Sequence, residues 1–358
     1  MKWLTGSDLD ALALGATFLG TGGGGDPYIG RLMAEAAIRR FGDVQLVDID
    51  ELPEDGLVVP AAMMGAPTVM VEKIPSGKEV KTAVNRLETI LGRKAVAIMT
   101  IEAGGINSMI PLAVAAEMAL PIIDGDSMGR AFPELQMTSL HIHEVSATPM
   151  VIVDEKGNNL VIDAIDNPWT ERLARSTTIA MGGSAIIALY PVTVNQARQA
   201  LVRNTISKAT RIGHLLQDST LDIDQKLRIL AASYEAHEFF QGKVVDVLRR
   251  SADGFARGTM TATGMHQYEG DILRIEFQNE NLLAMQNGVV VTTVPDLICV
   301  LDSETLRPIT TEMLTYGQRI RVLGMPAESV WHTSKGLETV GPRYFGYDFD
   351  YIPFRRSL

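Results

Sequence analysis

The chain has 358 residues, 46% of them hydrophobic and 21% charged, enough apolar mass for a sizeable core in about two domains and too much for a wholly disordered polypeptide. Its 32 Lys plus Arg against 43 Asp plus Glu leave a net charge of -11, which argues against sequence-independent nucleic-acid binding, because that needs a cationic surface to displace counterions. One cysteine excludes an internal disulfide and a cysteine-rich zinc module, and no apolar run reaches the roughly 18 residues of a spanning helix.

At the N-terminus Lys2 is followed by Asp8 and Asp10, which does not read as a secretion signal, so the expectation is a cytoplasmic protein without membrane contact. Ser7 and Asp10 resemble a capping box, and Leu9, Leu12, Leu14 and Phe18 supply the apolar mass of a helix over residues 8–19. Gly20-Thr21-Gly22-Gly23-Gly24-Gly25 follows. Asp26-Pro27 then reads as an N-cap with proline at the first position of a second helix, ending near Phe41. Strands are predicted over 44–49, 57–64, 95–101 and 121–124, with helices over 78–91 and 107–120 between them. That alternation implies parallel β-α-β units, whose ligands sit beyond the carboxyl ends of the strands. Next come a strand-turn-strand over 149–165, a helix over 169–181, a buried strand over 184–192, and helices over 195–217 and 225–240. The texture changes at Gly242 to short β-rich runs, with Asn287-Gly288 as a hairpin signal. The reading is an α/β protein: a three-layer α/β/α domain with a mainly parallel sheet over 1–241, and an all-β, barrel-like domain over 242–358. The aromatic cluster Tyr344, Phe345, Tyr347, Phe349 and Tyr351 is expected to pack back on the first domain.

The glycine run offers either exposed amides at a helix N-terminus, which favour an anion, or a tight interhelical turn needing positive φ. It is not a P-loop, for no Gly-Lys-Ser/Thr follows. It is a poor dinucleotide fingerprint, because it follows a helix and not a strand. Glu102, before Gly104-Gly105-Ile106-Asn107, ends a predicted buried strand; it could activate water or fix a polar ligand, or the segment could be a helix-leading loop capped by Asn107. Asp124-x-Asp126 sets two carboxylates near another strand end, as cation ligands, as a base, or as an acidic capped loop. Arg130 follows four residues on, to pair with Asp126 or hold an anionic group, and Glu134 a further four. His141-x-His143 would face one way on a strand, a spacing suited to zinc or a related metal, or to a solvated strand face. Cys299 lies in an apolar run and reads as a core residue. No Gly-x-Ser-x-Gly elbow signals a Ser-His-Asp triad.

The glycine run, Glu102-Ala-Gly-Gly-Ile-Asn107 and Asp124-x-Asp126-x-Met128-Gly-Arg130-Ala-Phe-Pro-Glu134 together resemble the S-methyl thiohydantoin desulfurase domain family, associated with hydantoinases and oxoprolinases. Gln278-Asn279-Glu280, Val294-Pro-Asp296-Leu-Ile298 and Gly341-Pro-Arg343-x-Phe345-Gly-Tyr347 carry the same resemblance, which spans nearly the whole chain. It implies an α/β/α domain joined to a barrel-like domain, and hydrolysis of a hydantoin- or thiohydantoin-like ring with metal assistance. Its motifs place Gly22 to Gly25, Glu102, Asn107, Asp124, Asp126, Arg130 and Glu134 in the site; the two histidines rest on spacing alone. The expected roles are as follows. Asp126, Glu102 and Arg130 are catalytic. Thr21, Gly22, Gly23, Gly24, Gly25, Asn107 and Glu134 bind a small-molecule substrate. Asp124, Asp126, His141 and His143 hold a divalent metal such as zinc. A homo-oligomer is expected. The alternative function is a non-catalytic, anion-binding subunit beside a hydantoinase-like partner.

Overall fold

The computed structural model describes residues 2–65, 69, 73, 77–252 and 254–355, with side chains of 251 and 252 excepted. In chain order the strands of the first part are β1 (Lys2–Leu4), β2 (Val44–Val47), β3 (Leu57–Gly65), β4 (Ala95–Thr100), β5 (Ile122–Ile123), β6 (Gly125–Asp126), β7 (Met150–Val153), β8 (Asn159–Ile162), β9 (Ser184–Ala188), β10 (Val192–Thr193) and β11 (Val202–Arg203). Its helices are α1 (Leu9–Leu19), α2 (Tyr28–Phe41), α3 (Glu79–Leu91), α4 (Ile110–Met118), α5 (Ser139–Ile142), α6 (Asn167–Ala180), α7 (Val194–Ala200), α8 (Thr205–Gln217) and α9 (Ile223–Tyr234). The main sheet runs β1-β2-β5-β4-β3-β9-β7-β8, with β10 added to β3.

The β-α-β inference holds where it was made: β2, β5, β4 and β3 pair in parallel. Beyond β3 the sheet turns antiparallel through β9, β7 and β8, so it is mixed and its parallel part is four strands wide. The reason lies in the connections. Strands β7 and β8 form a hairpin around Lys156-Gly157, and such a short link permits only antiparallel pairing.

Two other sequence expectations change. The helix expected over 195–217 is two helices, because Leu201 leaves the helix at ψ 135, Val202 pairs with Asp126, and Asn204 takes a left-handed φ of 62. The helix expected to run to Phe240 ends at Tyr234; Glu235 adopts φ 56, and His237 begins a strand.

The antiparallel sheet comprises β12 (His237–Ala252), β13 (Phe255–Gly264), β14 (Ile272–Gln278), β15 (Glu280–Gln286), β16 (Val289–Thr293), β17 (Leu297–Asp302) and β18 (Arg319–Met325), in the order β16-β15-β14-β13-β12-β18-β17. It curls into a half-barrel around Phe240, Met260, Leu273, Ile275, Ile320 and Val322. Its other residues, among them Leu282, Leu297, Cys299 and Leu323, join the core of the first part, as do Trp331 and Val340 of the segment after it. A last helix, α10 (Ser334–Val340), precedes the aromatic tail. That tail bridges both parts: Tyr344 Oη donates to Glu134 at 2.6 Å, and Tyr347 Oη to Glu276 at 2.9 Å.

Candidate functional site

Strand β4 delivers the chain to Glu102 at the carboxyl edge of the parallel strands, where the loop of Gly104 and Gly105 must pass the glycine turn after α1. The two loops touch backbone to backbone. Ile106 N donates to Gly24 O at 2.8 Å, and a Cβ on Gly24 would sit 2.6 Å from Gly104 Cα. Glycine is required here twice over, since Gly24 also holds φ 71. The turn is equally a seam to the half-barrel. Thr21 O accepts from Asn281 N and Gly22 O from Thr311 N, both at 2.8 Å. The Thr21 hydroxyl exchanges bonds with the backbone of Ile298, donating to its O at 3.0 Å and accepting from its N at 2.9 Å. Thr21 and Gly22 are therefore tied to β15, β17 and the segment after β17.

Glu102, Asn107 and Glu134 line a narrow cleft together with Gly24, Met63, Met64, Phe132, Arg175, Asn279 and Glu280. Asn107 is a clamp. Its Oδ1 accepts from Met63 N at 2.7 Å, and its Nδ2 donates to Glu102 Oε1 at 2.8 Å and to Met63 O at 3.2 Å. It thereby fixes one oxygen of Glu102 against β3. Burial pushes the Glu102 carboxyl up to about 7; the bonds from Asn107 and the Phe132 amide and the charge of Arg130 oppose it. A carboxyl poised near neutrality in a cleft has the acidity a general base or acid needs.

Arg130 is wholly buried beside this cleft. Its guanidinium lies 4.5 Å from the Phe132 ring centroid and donates to Ala131 O and Asp296 O at 3.0 Å each, and among the described residues Nη2 has no partner. Glu134 accepts from Tyr344 Oη and from Gln136 Nε2, so the tail helps fix the cleft rim.

The remaining expected residues stand elsewhere. Asp126 is fully buried but does not line the cleft. Its Oδ1 caps the following turn, accepting from Met128 N at 3.1 Å and Gly129 N at 2.8 Å. Burial holds its carboxyl well above the usual range. Asp124 accepts from Ser207 N at 2.9 Å and Ser207 Oγ at 2.5 Å, which anchors α8. His141-x-His143 would share a face only on a strand; the stretch is the short helix α5 with His143 at its end, where positions two apart point to different sides. His141 Nδ1 pairs with Asn167 Nδ2 at 3.0 Å, and His143 is exposed at the helix end. Among the described residues no group of three or more His, Cys, Asp and Glu is placed to hold a metal ion. Asp124, Asp126 and His141 are each held by partners of their own and His143 is exposed, so the four do not form a zinc-type centre.

Glu280, named in a motif but given no role from sequence, is a buried carboxyl of the cleft outside the expected site, as Met63, Met64, Phe132, Arg175 and Asn279 are also outside it. It heads β15 after Asn279, which turns the chain at φ 57, and it is only 3% exposed. A charged residue opening the apolar run Leu282-Leu283-Ala284 is the signal that could have found it. Its carboxyl lies against the glycine turn, where a Cβ on Gly23 would meet Oε1 at 2.0 Å. The Gly24 amide faces it, while Oε2 is buried without a partner. Burial, then the neighbouring Glu102 charge, hold this carboxyl well above the usual range against the pull of Arg130.

Comparison with known proteins gives two concordant findings. The N-terminal domain profile of the S-Me-THD-like family matches residues 7–164 and its C-terminal domain profile matches 165–354. A crystal structure of a protein from Chromobacterium violaceum superposes with a TM-score of 0.82 at 24% identity, covering 99% of this chain and 100% of that one, which shows a shared fold. No curated relative matches the chain.

Proposed function

The chain belongs to the S-Me-THD-like family, the S-methyl thiohydantoin desulfurases and their relatives, and on that premise we propose that it is a hydrolase of a hydantoin- or thiohydantoin-like ring. The observation that carries the reading is Glu102: a buried carboxyl, raised to about 7, clamped by Asn107, and lining a cleft at the carboxyl edge of the parallel strands. In its ionised form Glu102 takes a proton from water. The water oxygen adds to an electrophilic ring carbon, either the carbon bearing a methylthio group or a ring carbonyl. The tetrahedral adduct then breaks its carbon-sulfur or carbon-nitrogen bond, releasing methanethiol or opening the ring. Apolar walls from Met63, Met64 and Phe132 suit a flat heterocycle and keep bulk water from the adduct.

The metal assistance expected from the sequence finds no support in the donor geometry, and the chemistry above needs only carboxyl groups and water. A homo-oligomer remains part of the reading, supported by the exposed Leu160 and Val161 on β8 at the sheet end. The test is a panel of S-methyl thiohydantoins and hydantoins, followed by thiol release or ring opening. Turnover by the full chain, with a loss of about 10²-fold or more in Glu102→Gln, is expected. Inertness on every ring, or full activity in Glu102→Gln, overturns the reading.

A further inference from the structure

We propose that Glu280, carried in from the half-barrel, is the acid that works with Glu102, and that the glycine turn is built to seat it. The proposal rests on the hydrolase reading for its reaction, but its geometry stands apart from any substrate. Glu280 and Glu102 line the same cleft from different parts of the molecule, one on β15 and the other after β4. The Gly24 and Gly104 backbones run beside both: a Cβ on Gly104 would meet Glu102 Oε1 at 2.9 Å and Gly24 Cα at 3.1 Å, and Glu280 faces the Gly24 amide. Gly23 covers the other side of the Glu280 carboxyl.

The glycine turn offers the Gly24 amide to an anion, and the carboxyl of Glu280 faces that amide. Gly23, unlike Gly22, Gly24 and Gly25, has no positive φ. Its lack of a side chain is therefore required by Glu280 and not by the turn. Among the described residues Glu280 Oε2 has no partner although it is buried, which leaves its hydrogen-bonding capacity unmet in a residue that lines the cleft.

Charged groups acting on the carboxyl are Glu102 from the β4 loop and Arg130, which itself faces Asp296 and Cys299; Glu134 and Arg175 line the same cleft. Glu102 and Glu280, both buried at one cleft with Arg130 nearby, cannot both ionise cheaply, so one of the two keeps its proton. During hydrolysis ionised Glu102 receives the proton of the attacking water. Protonated Glu280 gives its own proton to the departing sulfur or ring nitrogen. Release of the proton of Glu102 to solvent water and uptake of one by Glu280 restore both groups, and one water is consumed.

The experiment compares the full chain with Glu280→Gln and Gly23→Ala. On a ring that the protein turns over, Glu280→Gln should lose about 10²-fold or more in kcat with KM little changed, and should lose the alkaline limb of the pH-rate profile. Gly23→Ala, which keeps Glu280 but displaces it, should lose at least about tenfold. Wild-type rate and profile in both variants overturn the proposal even if Glu102→Gln is inactive. Should no ring be turned over, the pair is read without substrate by infrared titration. A protonated buried carboxyl near neutral pH, absent from Glu280→Gln and shifted in Glu102→Gln, supports it. An infrared titration identical in all three proteins overturns it. Should Glu280→Gln fail to fold, Gly23→Ala alone decides on the same two readouts.

Discussion

At Glu102 the demands of stability and of chemistry oppose each other, and the sign can be worked out. Its carboxyl sits at about 7 in the folded protein against 4.5 as the ordinary value. A raised carboxyl contributes stability that is complete below about 4.5 and is lost as pH climbs through about 7. The difference amounts to about 3 kcal/mol. Glu102→Gln cannot ionise, so urea midpoints should fall less for this variant than for the parent between about pH 5 and pH 8, although its activity is lost. A parallel fall in both proteins would show that the carboxyl is not the source. Asp126 gives the contrasting prediction. Its Oδ1 already caps the Met128 and Gly129 amides and its Oδ2 has no partner, so an amide can replace the carboxyl in place. Asp126→Asn should keep the rate per folded molecule within about threefold, well short of the loss expected for a catalytic base. Steady-state kinetics corrected for folded fraction would check this.

Helices α1 and α8 cross at glycine. A Cβ on Gly15 would lie 1.7 Å from Ala209 O, and one on Gly213 would lie 1.7 Å from Ala11 O. Alanine at either position gains about 1 kcal/mol in helix propensity. It must also drive two backbones apart, and overpacking of this kind costs about 1–3 kcal/mol or more. The clash wins, so Gly15→Ala and Gly213→Ala should each lower stability in urea denaturation, and an increase would refute the close crossing. The displaced α1 also carries the glycine turn at its end, so Gly15→Ala should reduce activity more than Gly213→Ala, whose own residue reaches the cleft only through α1.

Across the whole molecule, the segment after β18 acts as a strap. Asp296, 1% exposed, accepts from Ala327 N at 2.9 Å and from Tyr351 Oη and Phe354 N at 2.8 Å each. His332 Nε2 lies 3.2 Å from the same carboxylate and stacks on Tyr351. The Asp296 carbonyl also receives Arg130. Asp296→Asn leaves one oxygen where two were used and sets an amide donor against donors. A loss of about 1–3 kcal/mol is expected, as for other buried groups left without a partner. Limited proteolysis should then release the C-terminal residues at a urea concentration the parent tolerates. Intact protection would mean that Phe354, packed on Phe239 and Gly324, holds the tail alone.

Alternation of apolar runs with helix signals, read from the sequence alone, determined the β-α-β core and the β-rich C-terminal part, because period and turn chemistry are local. The same holds for Glu102 and Asn107, since a polar loop after a buried strand falls at the ligand edge of any parallel sheet. The family itself was legible in the motifs. Three things were decided only by tertiary structure. Whether β9 runs parallel to β3 and β7 depends on pairing between distant strands. Whether Asp124, Asp126, His141 and His143 meet depends on the partners each finds, and Ser207, the Met128 and Gly129 amides and Asn167 take three of them. The buried carboxyl beside Glu102 comes from Glu280, 178 positions after it in the numbering. Only the docking of the half-barrel on the glycine turn brings them together, and no spacing in a linear sequence encodes a contact made by two separately folded sheets.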